Sequence, residues 1–136
     1  MRRLAVLAAL PLVALAACGE SRKEAAGTTG TNEKETTQAA GAVVATVKVS
    51  ETEFKLDPEN PKVAKSGVVA FEATNDGKIT HALEVEGPKG EVRARPFAPG
   101  QSRTIKVDLP PGRYVWYCPI DGHKDKGMKG AVAVGR

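Results

Sequence analysis

From Ala42 to Arg136 the chain alternates apolar and polar residues with a period of two. That rhythm suits strands with one buried and one wet face, and little else. Ala45, Val47 and Val49 alternate with Thr46, Lys48 and Ser50, and Val69, Phe71 and Ala73 with Ala70, Glu72 and Thr74. His81, Leu83 and Val85 alternate with Ala82, Glu84 and Glu86, and Ile105, Val107 and Leu109 with Thr104, Lys106 and Asp108. Val132 and Val134 share one face of a closing strand. Turn formers separate the runs: Asp57-Pro58, Asn60-Pro61, Ser66-Gly67, Asn75-Asp76-Gly77, Gly87-Pro88, Pro99-Gly100 and Pro110-Pro111-Gly112. With no helical period and no internal repeat, the pattern predicts one all-β domain over residues 42–136. It should be an antiparallel β-sandwich of seven to eight strands. A segment of this size can bury a single core without disulfides.

The N-terminal part reads differently. Arg2 and Arg3 precede an apolar run, Leu4 to Ala17, broken only by Pro11. The run is too short to span a bilayer and reads as a secretory signal over residues 1–17. Leu15-Ala16-Ala17-Cys18-Gly19 resembles the lipobox of bacterial lipoproteins, which implies cleavage before Cys18 and acylation of its thiol. Two or more acyl chains anchor a protein stably where one holds only marginally. The competing reading is an ordinary cleaved signal beside an incidental cysteine. Residues 18–41 are rich in Ser, Thr, Gly, Ala, Glu and Lys, without Leu, Ile or aromatics before Val43. Such a segment cannot bury enough apolar surface to offset its ordering entropy, so a flexible tether reaching about 25–30 Å is expected. The expected location is outside the cytoplasm, lipid-anchored to the outer face of the cell membrane or in the periplasm.

Export sharpens the cysteine count. The sequence has two cysteines. If Cys18 carries lipid, Cys118 is the only remaining thiol in a compartment where cysteines are normally paired. Metal ligation would protect it. Cys118, His123 and Met128 stand at the spacing C-x4-H-x4-M, and the only other histidine is His81. A thiolate and two imidazoles, with a long weak Met bond on the axis, describe a blue-copper electron-transfer site. Strand phase agrees, because His81 shares a face with Leu83 and Val85, and Cys118 with Trp116 and Tyr114. His81 opens its strand and Cys118 closes its own, so antiparallel neighbours would bring both to one end of the sandwich. Each residue alone has a plainer role: a core histidine, a small buried hydrophobe, a gap-filling methionine. Beyond Cys18, however, the one Cys, both His and the one Met all fit one constellation. Trp116 and Tyr114 are read as core residues, and Tyr117, on the opposite face, as exposed.

The text around these residues is Gly112-Arg113-Tyr114-Val115-Trp116-Tyr117-Cys118-Pro119, then Gly122-His123-Lys124, then Gly127-Met128-Lys129-Gly130. It resembles the C-terminal signature of the cupredoxins, the small blue-copper proteins, with a spacing similar to auracyanin, rusticyanin and sulfocyanin. Phe71 to His81, with Asn75-Asp76-Gly77 before the histidine, resembles the family's first-ligand loop. The resemblance implies a Greek-key β-sandwich holding one type 1 copper. His81, Cys118 and His123 would be equatorial ligands and Met128 the axial one. It implies single-electron shuttling between Cu(II) and Cu(I), with the exposed edge of His123 as the port. Where several members have Asn or Ser after the first histidine, this chain has Ala82, whose side chain cannot hydrogen-bond the ligand sulfur.

The expected function is therefore a membrane-anchored electron carrier without substrate chemistry of its own. Its partners would be redox proteins, a cytochrome or a membrane redox complex. A copper-binding or copper-delivery lipoprotein on the same fold is the alternative, though delivery would favour extra Met or His residues. A copper oxidase or nitrite-reductase-like enzyme would need further histidines, and a dinuclear centre a second cysteine in the loop. A metal-free structural domain is the remaining reading. The chain carries 20 Lys and Arg against 16 Asp and Glu. Lys124, Lys126 and Lys129 crowd the ligand loop beside Asp121 and Asp125, forming either a basic rim that steers an acidic partner or a solvated loop. No interleaved aromatics offer stacking for bases, so nucleic-acid binding is not expected. A monomer is expected.

Overall fold

The computed structural model describes residues 38–136. The expected signal peptide at 1–17, the lipidation site Cys18 and the linker up to residue 37 lie outside the described residues. Gln38 and Ala39, the last part of the expected linker, run beside a strand of the domain. The Ala39 amide donates to the Lys106 carbonyl at 2.9 Å.

Nine strands form among the described residues: β1 Val43–Thr52, β2 Lys55–Asp57, β3 Lys62–Val63, β4 Gly67–Asn75, β5 Glu84–Gly87, β6 Gly90–Arg93, β7 Ser102–Leu109, β8 Gly112–Tyr117 and β9 Lys129–Val134. They build two sheets, in the orders β2-β1-β4-β7 and β3-β9-β8-β5-β6. The all-β sandwich read from the alternation is present, with two differences of detail. Both sheets are mixed, since β1 runs parallel to β4 and β3 parallel to β9. Alternation reports which way a side chain faces, whereas strand direction is set by the connections. The count exceeds seven to eight because β2 and β3, at 3 and 2 residues, are too short to show a period.

The inner faces meet in one core. Val47 and Val49 of β1, Val69, Phe71 and Ala73 of β4, and Ile105, Val107 and Leu109 of β7 face Val85, Val92, Trp116, Val132 and Val134 of the other sheet. Phe71 and Trp116 join the layers with ring centroids 5.6 Å apart at 56°, an arrangement that adds about 0.5–1.5 kcal/mol beyond area burial. The indole Nε1 of Trp116 donates to the Glu59 carbonyl at 2.9 Å, so its polar tip is satisfied.

Two pairings set the geometry at one end of the sandwich. β5 and β8 are antiparallel neighbours, with Glu84 opposite Tyr117 and Val85 opposite Trp116. This is the neighbour relation that brings His81 and Cys118 to one end. β8 and β9 form a hairpin whose last rung pairs Tyr117 with Lys129. Its connecting loop runs over that same end. Tyr117 departs from expectation: it is buried, its hydroxyl bonded to Glu84 and its ring covered by the Lys124 ammonium 3.5 Å from the centroid. Its face is outward, as the alternation says, but long side chains close over it.

The Glu59 main chain and the Trp116 indole leave room only for glycine at Gly130. A Cβ there would overlap the Glu59 carbonyl oxygen and lie 2.6 Å from Trp116 Nε1. Gly130→Ala should therefore cost about 1–3 kcal/mol of stability, seen as a lower urea midpoint with an unchanged slope.

Candidate metal centre

The loop after β8 is held shut by its own main chain. The Cys118 amide donates to the Met128 carbonyl at 3.0 Å, and the Met128 amide donates to the His123 carbonyl at 3.0 Å. Inside it, His123 N bonds to Ile120 O at 2.8 Å, and a run of turns follows from Gly122 to Gly127. Gly122 at φ 70° and Gly127 at φ 112° supply the left-handed backbone these turns need, where glycine carries no Cβ penalty. Cys118, His123 and Met128 are thereby gathered at the mouth of the core, all three buried.

His81 arrives from the other side. It precedes β5 in an isolated bridge to Phe97, with its amide on the Phe97 carbonyl at 3.1 Å and the Phe97 amide on its own carbonyl at 2.8 Å. The loop before it is pinned by Asn75, which is wholly buried. The Asn75 Nδ2 donates to the carbonyls of Ile79 at 2.8 Å and Phe97 at 2.9 Å, and its Oδ1 accepts from the Gly77 amide at 3.0 Å. Glu53 accepts from the Lys78 amide, and that bond holds its carboxyl below the usual range. A Cβ at Gly77 would lie 2.7 Å from Glu53 Oε1 and 3.0 Å from His81 Nε2. Gly77 is thus where the loop closes against the imidazole.

The donor atoms of His81, Cys118 and His123 all lie within 4.8 Å of one another. Cys118 Sγ stands 3.4 Å from His123 Nδ1, and the two imidazoles are 5.3 Å apart at 67°. Met128 belongs to the same buried cluster as Cys118. The structure thus brings His81, Cys118 and His123 together, with Met128 buried beside them, its backbone bonded to both Cys118 and His123.

The electrostatics show a site built for something not made of protein. Both ring nitrogens of His81 are buried without a hydrogen-bond partner. Burial, then the neighbouring His123, depress its pKa, so the imidazole is neutral and free to donate a lone pair. Cys118 is a buried, unpaired thiol. Burial pushes its pKa up, while the main-chain amides of Ile120 and Ala82 pull it down. The Ala82 amide points at Sγ from 3.4 Å. The hydrogen bond that the Ala82 side chain cannot make therefore comes from its backbone. A thiolate, two imidazoles and a thioether form a donor set that fits copper.

One expected feature is altered. The His123 edge is not open to solvent: the ring is 5% exposed. Phe54 packs edge-on against it, with centroids 5.2 Å apart, and the Lys126 ammonium sits 4.6 Å from the Phe54 ring centroid. Phe54 holds φ 62°, a conformation uncommon for a bulky residue, so surrounding contacts must maintain it. Sequence reading passed over Glu51 as well. It is the next residue in phase after Val47 and Val49, and it is completely buried.

A family described as PQQ-associated matches residues 16–136. The chain belongs to the PQQ-associated family. No curated protein gives a significant match. Among solved structures, auracyanin B superimposes on this PQQ-associated protein with a TM-score of 0.66 at 17% identity, over 75% of this chain and 96% of its own. The dithionite-reduced auracyanin of Roseiflexus castenholzii gives 0.60 at 20% identity, over 71% and 100%. A blue copper oxidase from Nitrosomonas europaea gives 0.57 at 16% identity, over 67% of this chain and 38% of that one. The shared fold is the cupredoxin β-sandwich.

Asn75 is the outer support of the centre. Removing it in Asn75→Ala leaves buried backbone groups unpaired, which costs about 1–3 kcal/mol. Urea unfolding of the metal-free protein should register that loss. Copper titration should show affinity weakened by about 10–100-fold, as is usual when a supporting hydrogen bond is removed.

Proposed function

We propose that this PQQ-associated protein is a blue-copper carrier of single electrons, in which His81, Cys118, His123 and Met128 would hold the copper. The reading rests on the convergence of three buried donors within 4.8 Å, with both His81 ring nitrogens unpartnered and Cys118 in no disulfide. Bound there, copper supplies a one-electron change between Cu(II) and Cu(I).

The chain's own residues do the rest. The closed loop fixes Cys118, His123 and Met128, while Asn75 and the Phe97 bridge fix His81, so the donors barely move when the charge changes. The amides of Ala82 and Ile120 stabilise negative charge on sulfur. Phe54 keeps water from His123 and places an aromatic ring between the centre and solvent. An electron crossing this rim would pass an aromatic ring at a side chain shielded from water.

The carrier would be tethered by lipid on Cys18 outside the cytoplasm, and its donor would be a PQQ-containing redox enzyme, the partner class that the family description suggests. Copper delivery is the second reading, and it is disfavoured by the burial of the donors, which hinders ligand exchange with a partner. Oxidase chemistry is disfavoured, since both histidines of the sequence already belong to the one cluster.

Cu(II) added to the purified protein should produce an intense visible thiolate-to-copper charge-transfer band, bleached by reductant and lost in Cys118→Ser. Absence of the band in the folded wild type would remove the copper reading. Reversible voltammetry with fast electron exchange would support a carrier, and release of copper to a chelating partner would support delivery.

A further inference from the structure

Glu51 occupies a position where a leucine would serve the fold better. It continues the buried face of β1 after Val47 and Val49, yet it carries a carboxyl group. The side chain is 0% exposed, and neither carboxyl oxygen has a hydrogen-bond partner. Only its backbone is engaged, with its carbonyl accepting from the Asp76 amide at 2.9 Å and its Cα paired across from Asn75. Burial pushes its pKa up to about 8, so the enclosed group holds a proton at neutral pH.

Its placement relative to the centre is specific. Glu51 pairs across the β1–β4 ladder with Asn75, the residue whose amide pins the loop that carries His81. It stands outside the group of donor atoms, and no hydrogen bond joins it to any candidate ligand. The other charged groups around it belong to the surface. On the neighbouring β2 these are Lys55 and Asp57, both exposed; on β4, Glu72 is half-buried three rungs away. From the adjoining loops come Glu53, which caps Lys78, and Asp76, which accepts from Ser50. The other titratable groups at this end are the buried cluster of Cys118 with the two imidazoles, and the exposed Asp121. None of these satisfies the Glu51 oxygens.

We propose that Glu51 is a proton-carrying group coupled to the electron held by the centre. The coupling rests on the copper reading above. When an electron leaves for a one-electron acceptor, the centre gains one positive charge, and the Glu51 O–H bond breaks and releases its proton to solvent. The carboxylate left behind balances the new charge, so the buried volume stays at constant net charge. On reduction, one electron and one proton return. In a poorly polarisable interior such charge balancing is worth far more than it would be in water.

The potential of the copper-loaded protein should accordingly fall as pH rises, with a slope bounded by one proton per electron. That bound is about 59 mV per pH unit, the one-electron equivalent of a tenfold change. Voltammetry over about pH 5 to 9 on wild type and Glu51→Gln tests this. The slope should be present in the first and lost in the second, with both proteins blue. Glu51→Leu, suited to the apolar surroundings, is the second variant should Gln disturb the fold.

A copper-free arm tests the acid itself. Infrared spectra at neutral pH should contain the carbonyl band of a protonated carboxylic acid that is missing from Glu51→Gln. Because the folded pKa is raised above 4.5, Glu51 contributes stability that is fully present below about pH 4.5 and is lost as pH rises through about 8. Wild-type stability should decline across that window more than the variant's. A blue wild type with a pH-independent potential, or an equal slope in Glu51→Gln, overturns the coupling while leaving the carrier reading intact. A missing infrared band overturns the buried acid. Failure to take up copper ends the carrier reading and the coupling with it, leaving the infrared result to stand for the acid alone.

Discussion

The candidate site hangs on the rung that closes the loop between β8 and β9. After the Tyr117–Lys129 pair, one more main-chain bond, from the Cys118 amide to the Met128 carbonyl, holds the ends of the loop together. Because residues 119–127 start and finish at neighbouring points, they must fold back on themselves, and the turns from Gly122 to Gly127 accomplish this. Three of the four candidate donors ride on that closure. The fourth, His81, is delivered by the β5–β8 register and the Phe97 bridge. The sandwich thus supplies rigidity, and the loop converts it into a fixed arrangement of donor atoms.

Buried polar groups cluster at the same end of the core, and they are handled in different ways. Glu84 is enclosed but paired with Arg93 and the Tyr117 hydroxyl. Asn75 is enclosed and makes three hydrogen bonds to backbone. His81 and Glu51 are enclosed and make none with their side chains. Since an unpaired buried polar group is costly and rarely kept without reason, the contrast separates groups that support the structure from groups that await something. For His81 that is a metal. Glu51, which holds its proton at neutral pH, is the proposed proton carrier.

The likeness to the auracyanins, at 20% identity or less, follows from the same separation. A core of alternating Val, Ile, Leu and Phe tolerates wide substitution provided volume and pattern persist. The likeness is therefore one of fold, and the chemistry belongs to particular side chains placed on that scaffold. In this chain Phe54 over His123, with Lys126 over Phe54, closes the rim of the site.

What the sequence determined by itself was whatever depends on residue type and on period. Alternation marked the strands and their inward faces, and the small inventory of Cys, His and Met left few ways to build a metal site. What only the tertiary structure decided depends on neighbours distant in the chain. Parallel pairing of β1 with β4, the covering of Tyr117 by Lys124, the Ala82 amide on the Cys118 sulfur and Phe54 against His123 are all such relations. Glu51 lay between the two, in phase with Val47 and Val49 but charged. A period of two says which way a side chain points; only the packing of the second sheet against the first says whether water can reach it there.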